Sequence, residues 1–297
     1  MKTWKEIIGL ASDYLRRQGV PDSQIAAELL AARLLKCGRG FIAGHLEKAA
    51  PEPYLDAMRR GMTRLAKGEP VQYVLGEWDF RSLTLKCDRR ALIPRPETEE
   101  LVERVLRFVR GGAWRGGNGA ATREKPFIVD VGTGSGCIIL SIASELNKDG
   151  IFLGTDISPE AISLAQENAA RCGLAESVHF AIADGMDEFD PESVDVIVSN
   201  PPYIASAECE TLDPRVKDHE PRRALDGGET GLDFYERFVG DALNVLRPNG
   251  AVFFEIGESQ GDALRRMLQE YGFANIRIEK DFAGHDRYAS GELKELG

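Results

Sequence analysis

The stretch from Pro126 to Ala143, PFIVDVGTGSGCIILSIA, decides the fold. The apolar residues before the turn predict a buried strand, and the apolar run that begins at Cys137 predicts a buried helix. Between them, the glycine turn Gly132–Gly136 brings backbone N–H groups close to a ligand. Because position 137 is Cys, the turn reads G-x-G-x-G and lacks the third small residue of the dinucleotide-binding fingerprint.

An acidic residue, Asp156, ends the strand predicted at residues 151–155, twenty residues after Gly136. A carboxylate at the end of the second strand is placed to accept hydrogen bonds from the ribose hydroxyls of a nucleoside. The alternative is that Asp156 caps the following helix, which Ser158-Pro159-Glu160 opens. The two roles are compatible, and the glycine turn favours contact with a ligand.

The segment Asn200-Pro201-Pro202-Tyr203 follows an apolar run at residues 194–199 that predicts another strand. It suits methylation of a planar nitrogen, in an amide or an exocyclic base amine, whose delocalised lone pair makes it a poor nucleophile. The N–H bonds of such a nitrogen need acceptors, and the side-chain oxygen of Asn200 and the carbonyl of Pro201 can supply them, since consecutive prolines fix φ and remove donors. Tyr203 offers a flat face for stacking. The alternative is a proline turn that closes a strand.

These motifs resemble the class I S-adenosylmethionine-dependent methyltransferases, and three segments narrow the resemblance. They are Leu92–Glu99 (LIPRPETE), Asn200–Ile204 (NPPYI) and Glu220–Gly228 (EPRRALDGG). In this order they are similar to the PrmC (HemK) family of glutamine N5-methyltransferases, whose members methylate the glutamine of the Gly-Gly-Gln tip of peptide-chain release factors. Pro70–Gly76 and Asp281–Arg287 also match, so the resemblance runs nearly the whole length.

The resemblance implies an α/β fold: a Rossmann-like seven-stranded methyltransferase sheet, with a small N-terminal helical domain joined to it by a β-hairpin. Residues 1–76 are expected to form a helical substrate-docking domain, residues 77–96 the linking hairpin, and residues 97–297 the methyltransferase domain. Hydrophobic spacing agrees with this division, because the first part reads as helical and strands then alternate with helices. The last two strands are expected to form an antiparallel edge hairpin.

The resemblance implies S-adenosyl-L-methionine as the cofactor and S-adenosyl-L-homocysteine as its product. The implied cofactor-binding residues are Gly132, Thr133, Gly134, Ser135, Gly136, Asp156, Asp184, Gly185 and Asn200. The implied catalytic and substrate-binding residues are Asn200, Pro201, Pro202 and Tyr203. Asp184 is expected near the adenine, with a turn residue before Gly185 as the alternative. Relatives often carry an aromatic or other bulky residue where this chain has Gly185, so a side chain that stacks on the adenine is not expected from this position.

The two segments that flank the site have open interpretations. Arg95 and Glu220 can shape the substrate pocket or simply form ion pairs, and Thr98 stands where a helix begins, as a capping residue does. Gly227-Gly228 can allow close approach of a substrate backbone or can form a plain turn.

Other activities compete with this interpretation. A glutamine methyltransferase that acts on a ribosomal protein would carry the same site motifs, and an N6-adenine nucleic-acid methyltransferase shares the Asn-Pro-Pro-Tyr segment. Residues 91–297 carry a net charge of −16, against +5 for residues 1–90, which disfavours stable binding of nucleic acid by the larger part. A non-catalytic protein that keeps the fold is a third class.

Composition agrees with a cytoplasmic enzyme. The five cysteines and four histidines are scattered without C-x-x-C spacing, so no metal site or disulfide framework is indicated. The N-terminus has no signal-peptide pattern, and no apolar run is long enough to span a bilayer. We therefore expect no metal, no membrane partner and a location in the reducing cytoplasm. The resemblance implies that the protein acts on release factors, and we expect it to be a monomer.

Overall fold

The computed structural model describes residues 2–115, 124–186 and 188–294. The chain divides into two compact units, each with its own apolar core. The first unit is made of Met1–Trp78, Cys87–Arg89 and Asp213–His219. The second is made of Asp79–Lys86, Arg90–Leu212 and Glu220–Gly297.

The first unit is helical. Its helices are α1 (Trp4–Arg17), α2 (Ser23–Leu35), α3 (Glu52–Ala66), α4 (Val71–Leu75) and the later α9 (Pro214–Lys217), with a 3₁₀ helix at Arg39–His45. Helix α1 begins with a capping box, in which Thr3 and Glu6 each accept a hydrogen bond from the other's backbone N–H. Its apolar positions recur at helical spacing and are buried against α2 and α3, as the sequence predicts.

Two short strands, β1 (Glu77–Phe80) and β2 (Leu83–Lys86), form a two-stranded sheet. The sequence predicted a hairpin over residues 77–96, but strand structure ends at Lys86 and residues 87–95 contain neither helix nor strand. Pro94 and Pro96 explain part of the difference, because a proline has no N–H to donate to a strand ladder.

The second unit is a seven-stranded sheet with helices. The strands are β3 (Phe127–Val131), β4 (Ile151–Asp156), β5 (Val178–Ile182), β6 (Val194–Ser199), β7 (Leu246–Glu255), β8 (Ala274–Lys280) and β9 (Asp286–Glu292). Their order in the sheet is β5-β4-β3-β6-β7-β9-β8, with parallel pairing as far as β7 and antiparallel pairing of β9 with β7 and β8. The predicted seven-stranded α/β fold with an antiparallel final hairpin is confirmed.

The helices of the second unit pack around this sheet. They are α5 (Pro96–Gly111), α6 (Cys137–Glu145), α7 (Pro159–Arg171), α8 (Ser206–Cys209), α10 (Asp233–Val245) and α11 (Gly261–Glu270), with 3₁₀ turns at Ala113–Arg115 and Arg222–Ala224. Strands β3 and β6 lie side by side in the sheet although the chain passes through β4 and β5 between them. An open α/β sheet binds its ligand at such a switch point, beyond the carboxyl ends of the strands.

Within residues 2–115, 124–186 and 188–294, none of the helices has both the length and the apolar character needed to cross a membrane.

Candidate active site

A cavity of about 410 Å³ lies at the carboxyl ends of β3, β4, β5 and β6. Most of the residues predicted to bind cofactor or substrate line it, namely Gly132, Thr133, Gly134, Ser135, Asp156, Asp184, Gly185, Asn200 and Pro202. Among the residues that the structure describes, the lining does not include Gly136, Pro201 or Tyr203. The cavity is therefore formed mainly by the segments that follow four neighbouring strands, as the topology requires.

The glycine turn after β3 has a backbone that only glycine adopts without strain. Gly132, Gly134 and Gly136 have φ of +74°, +55° and +80°. The turn is pinned to the neighbouring strand, since Thr133 N donates to Thr155 O at 2.8 Å. Thr133 Oγ1 also donates to the buried Asp130 Oδ2 at 2.6 Å. Burial raises the pKa of Asp130 to about 7.

Asp156 ends β4 and organises the backbone on both sides of it. Its Oδ2 accepts from Gly134 N at 2.9 Å, and its Oδ1 accepts from Ser158 N at 2.9 Å. Burial raises the pKa of Asp156, and these two backbone hydrogen bonds oppose that shift. The cap of α7 is Ser158, whose hydroxyl accepts from Ala161 N, so the alternative that Asp156 itself caps the helix is wrong.

Asp184 lies just beyond β5 and is paired with α10. Arg237 Nη1 donates to Asp184 Oδ1 at 2.8 Å, and Arg237 Nη2 donates to Asp184 O at 2.6 Å. A Cβ on Gly185, whose φ is +93°, would lie 2.9 Å from Arg237 Nη2, so the arginine occupies the space that a larger residue would fill. Arg237 lines the cavity together with Phe234 of the same helix. Helix α10 therefore places two flat groups, the guanidinium of Arg237 and the ring of Phe234, at the wall of the cavity near Gly185.

Asn200 follows β6 directly and its side chain is held from behind. Asn200 Nδ2 donates to Thr98 Oγ1 at 3.0 Å, and Thr98 Oγ1 donates to Glu255 Oε2 at 2.7 Å. Thr98 is therefore not a capping residue, because its hydroxyl is used in these two hydrogen bonds and α5 begins after Arg95 without a side-chain cap. Burial raises the pKa of Glu255 to about 7.

The backbone after Asn200 is braced by residues distant in sequence. Gln260 Nε2 donates to Tyr203 O at 2.9 Å and to Gly231 O at 3.0 Å. A Cβ on Gly227 would lie 2.6 Å from Pro202 O, and one on Gly231 would lie 2.4 Å from Tyr203 O. The absence of side chains at these glycines thus serves the chain's own close packing, not only a turn.

Tyr203 packs its ring against the apolar cluster that includes Phe254 and Tyr235. Burial raises the pKa of Tyr203 to about 12. Its hydroxyl consequently keeps its proton at neutral pH, so this residue does not act as a general base there.

An ion pair holds the LIPRPETE segment against the EPRRALDGG segment. Arg95 Nη2 bonds to Glu220 Oε1, while Ile93 N donates to Glu220 Oε2 at 3.0 Å. Residues 91–95 line the cavity, as do Pro221 and Arg223. The predicted alternatives for Arg95 and Glu220 therefore coexist: the pair is an ion pair and it shapes the wall.

Four residues at the site were missed by the sequence reasoning or given another role. Glu255, Gln260 and Phe234 come from segments without a predicted role in the site, whereas Thr98 lies in the LIPRPETE segment but was expected to be a capping residue. One signal was present for Glu255: a charged residue follows the apolar run at residues 251–254, and burial of a charge is expensive unless the charge has partners.

Solved structures show the same fold. The hMettl16 catalytic domain in complex with MAT2A 3'UTR hairpin 6 has a TM-score of 0.53 at 15% identity, covering 83% of this chain and 84% of that one. Human methyltransferase 10 domain containing protein has a TM-score of 0.50 at 17% identity, covering 71% of this chain and 88% of that one. At such low identity the likeness concerns the methyltransferase fold alone.

Sequence comparisons are more specific. Residues 124–276 match a methyltransferase domain and residues 6–76 match the PrmC N-terminal domain. The release factor glutamine methyltransferase of Bacillus cereus is 36% identical over 97% of this chain and 99% of its own length. Those of Geobacter sulfurreducens and Fusobacterium nucleatum are each 35% identical, over 98% and 95% of this chain and 97% and 77% of their own lengths. With these matches extending over both units, this methyltransferase belongs to the release factor glutamine methyltransferase family.

Proposed function

We propose that this enzyme transfers a methyl group from S-adenosyl-L-methionine to the side-chain amide N5 of the glutamine in the Gly-Gly-Gln motif of peptide-chain release factors. The observation that carries the proposal is the carboxamide of Asn200, held by Thr98 at the wall of the cavity that the glycine turn also lines. The names of the relatives support the choice of acceptor.

The cavity fits S-adenosyl-L-methionine in size and chemistry. Its volume of about 410 Å³ lies in the range of small-molecule sites. The turn from Gly132 to Gly136 exposes backbone for the methionine part, and Asp156 keeps lone pairs for ribose hydroxyls beyond the two N–H groups that it accepts. Ile157 is apolar yet 54% exposed and lines the cavity with Phe234, so the two offer surface to the adenine, with Asp184 as an acceptor for its amine.

When bound, this cofactor supplies a methyl group activated by a positively charged sulfur. Asn200 Oδ1 and the Pro201 carbonyl accept the two N–H bonds of the substrate amide and aim the nitrogen lone pair at the methyl carbon. As the N–C bond forms and the C–S bond breaks, both acceptors stabilise the positive charge that develops on nitrogen. Pro202 lines the cavity and supports the planar substrate group, and the ring of Tyr203 backs it from the apolar cluster. The surplus proton leaves to water. Alignment of this kind contributes several kcal/mol, about 7 or more in the best cases.

Residues 1–76 are the docking domain in this proposal, residues 77–96 the link and residues 97–297 the part that binds cofactor and transfers the methyl group. The positive charge of the first part, against the negative charge of the second, favours the first as the surface that grips a partner. The enzyme acts as a monomer and in the cytoplasm, where its substrate terminates translation.

The test is methyl transfer from labelled cofactor to three purified acceptors offered separately: release factor, ribosomes and DNA. A release factor with Gly-Gly-Ala in place of Gly-Gly-Gln is the matched control. Label is expected on the release factor alone, on the glutamine located by mass spectrometry of its peptides, and none on the Gly-Gly-Ala variant. Label on a ribosomal protein or on DNA, with none on the release factor, would overturn the proposal.

A further inference from the structure

The side-chain amide of Asn200 can be turned in two ways that look alike in shape but are opposite in hydrogen bonding. One face presents the oxygen, an acceptor, and the other presents the NH₂ group, a donor. A substrate NH₂ group needs the acceptor, because a donor facing it would leave two sets of N–H bonds without partners. Something in the protein must therefore choose between the two orientations.

Thr98 makes this choice possible, because a hydroxyl has a single proton to donate. Thr98 is 2% exposed and bridges Asn200 and the carboxyl group of Glu255, at 3.0 and 2.7 Å. If the hydroxyl proton of Thr98 goes to Glu255, the hydroxyl oxygen can only accept from Asn200, whose Nδ2 then points toward Thr98. If the proton goes to Asn200, the amide must turn its oxygen toward Thr98, which leaves the NH₂ group on the substrate side.

Glu255 determines which way the hydrogen bonds between Asn200, Thr98 and Glu255 run. It is 1% exposed at the end of β7, and its backbone carbonyl separately accepts from Tyr235 Oη at 2.7 Å. An ionised carboxylate has no proton and accepts only. The proton of Thr98 is then committed to Glu255, which is the arrangement in the structure.

We propose that Glu255, acting through the hydroxyl of Thr98, is a positioning residue that holds the carboxamide of Asn200 with Oδ1 toward the acceptor nitrogen. The proposal rests on the proposed function for the nature of the acceptor, a planar NH₂ group. Glu255 touches neither reactant, and its effect is to exclude the wrong amide orientation before the substrate arrives.

The surroundings of Glu255 make its ionised state responsive to pH. Burial, and to a smaller extent Glu97, raise the pKa of Glu255 and disfavour the carboxylate, whereas the hydrogen bond from Thr98, Arg287 of β9 and Arg95 just before α5 favour it. The other groups that interact electrostatically with it are Tyr203, Tyr235, Tyr288 and Cys137. A protonated Glu255 has an O–H to donate to Thr98, and this allows the reversed chain in which Asn200 shows its NH₂ group to the substrate.

Two variants test the proposal. Thr98→Val keeps the shape and removes the hydroxyl, and Glu255→Gln keeps the shape but replaces a group that can only accept with an amide that can also donate. Thr98→Ser restores the hydroxyl, and the exposed Thr84→Val and Glu270→Gln are matched controls. Loss of alignment costs about ten- to a hundredfold in rate. We therefore expect that drop in kcat for Thr98→Val and Glu255→Gln, with little change in cofactor Kd by calorimetry, recovery of most of the rate in Thr98→Ser, and no effect of the controls.

The pH profile separates positioning from mere packing. In the wild type, kcat should fall as the pH decreases through about 7, and Glu255→Gln should lose this limb. An unchanged limb in Glu255→Gln, or full activity of Thr98→Val, would overturn the proposal.

A readout without any substrate keeps this proposal separate from the proposed function. In the NMR spectrum of the enzyme alone, the side-chain NH₂ of Asn200 should exchange slowly with water in the wild type and in Thr98→Ser. Both Thr98→Val and Glu255→Gln should speed its exchange. Equal exchange rates in all four proteins would overturn the positioning of Asn200 by Glu255 and Thr98, even if release factor is methylated. Differing rates without any methylation of release factor would leave this positioning standing and remove the proposed acceptor.

Discussion

The two sides of the cavity are built in different ways. On the side proposed to bind cofactor, Gly134 N donates to Asp156 Oδ2 and Thr133 N donates to Thr155 O, so the glycine turn and β4 hold one another through backbone hydrogen bonds. On the side proposed for methyl transfer, the transfer side, Asn200 is held by side chains from α5 and β7, and Gln260 braces the backbone that follows it. The first side is largely local, whereas the second is assembled from segments spread over more than half of the chain.

This difference separates binding from transfer. A defect in the local side should disturb the affinity for cofactor, because no hydrogen bond among the described residues joins the turn or Asp156 to Asn200, Thr98 or Glu255. A defect in the assembled side should disturb the orientation of one amide and leave the cofactor surface in place. The variants below break one side at a time.

The largest effect is expected from Asn200→Ala. Removing one preorganised group that stabilises the charge of a transition state costs about 10²–10³-fold in kcat. We expect a loss of that size in methyl transfer to release factor, with cofactor affinity lowered less, because Asn200 is one of many residues that line the cavity. Steady-state rates and calorimetry with cofactor measure the two. Asn244→Ala, at an exposed position in α10, is the control. A greater loss in affinity than in rate would show that the roles are misassigned.

The next effect should come from Asp156→Ala and should appear in binding first. The variant removes the acceptor offered to the ribose and frees the N–H groups of Gly134 and Ser158. The loss of two hydrogen bonds from the ribose hydroxyls to a charged carboxylate corresponds to roughly a hundredfold in the Kd of the cofactor. Calorimetry should show this weakening, and saturating cofactor should restore much of kcat. Asp149→Ala, at an exposed turn, should bind cofactor like the wild type, and an Asp156 variant with unchanged Kd would contradict the division.

The sequence predicted the local side well and the assembled side poorly. The strand, turn and helix around Gly132 and the acid at Asp156 follow from a pattern of neighbouring residues, and the seven-stranded sheet with its antiparallel final hairpin follows from the resemblance. Thr98 read as a helix cap because its local context, a proline and acidic residues, is that of a helix start. Its real partner, Glu255, is 157 residues away, and hydrophobic periodicity carries no information about which buried polar groups meet.

A smaller effect is expected from Gln260→Ala, which breaks the brace of the transfer side without touching Asn200 itself. The variant leaves the carbonyls of Tyr203 and Gly231 without a donor, at a cost of about 1–3 kcal/mol in stability. We expect roughly a tenfold lower transfer rate, since the backbone of the proline segment loses its fixed position. Thermal unfolding and transfer rates check this against Gln269→Ala, at an exposed position in α11. If cofactor affinity fell as far as the rate, the two sides would not be independent.

The smallest effect is expected in the pH dependence of stability, where the two buried carboxyls can be compared. Asp130 lies on the side of the glycine turn and Glu255 on the side of Asn200. Burial raises the folded-state pKa of both Asp130 and Glu255 to about 7, above the ordinary values of 3.8 and 4.5. Each group therefore takes up a proton in the folded state before the unfolded state does, so its contribution to stability increases as the pH falls below about 7 and is lost as the pH rises through 7. Glu255→Gln and Asp130→Asn each remove one such contribution.

Between pH 6 and pH 8, the stability of each variant relative to the wild type should consequently increase by roughly 1 kcal/mol, as measured by denaturant unfolding at the two pH values. The functional consequences should differ, since Glu255→Gln should lose transfer rate whereas Asp130→Asn, beside the glycine turn, should change cofactor affinity. A Glu255→Gln variant that gained stability at pH 8 and kept its full transfer rate would mean that the buried carboxyl is only an electrostatic burden on the fold. The combination of gained stability with lost transfer rate is instead what the orientation of Asn200 requires, because a neutral amide at position 255 relieves the burial of charge while no longer dictating where the proton of Thr98 goes.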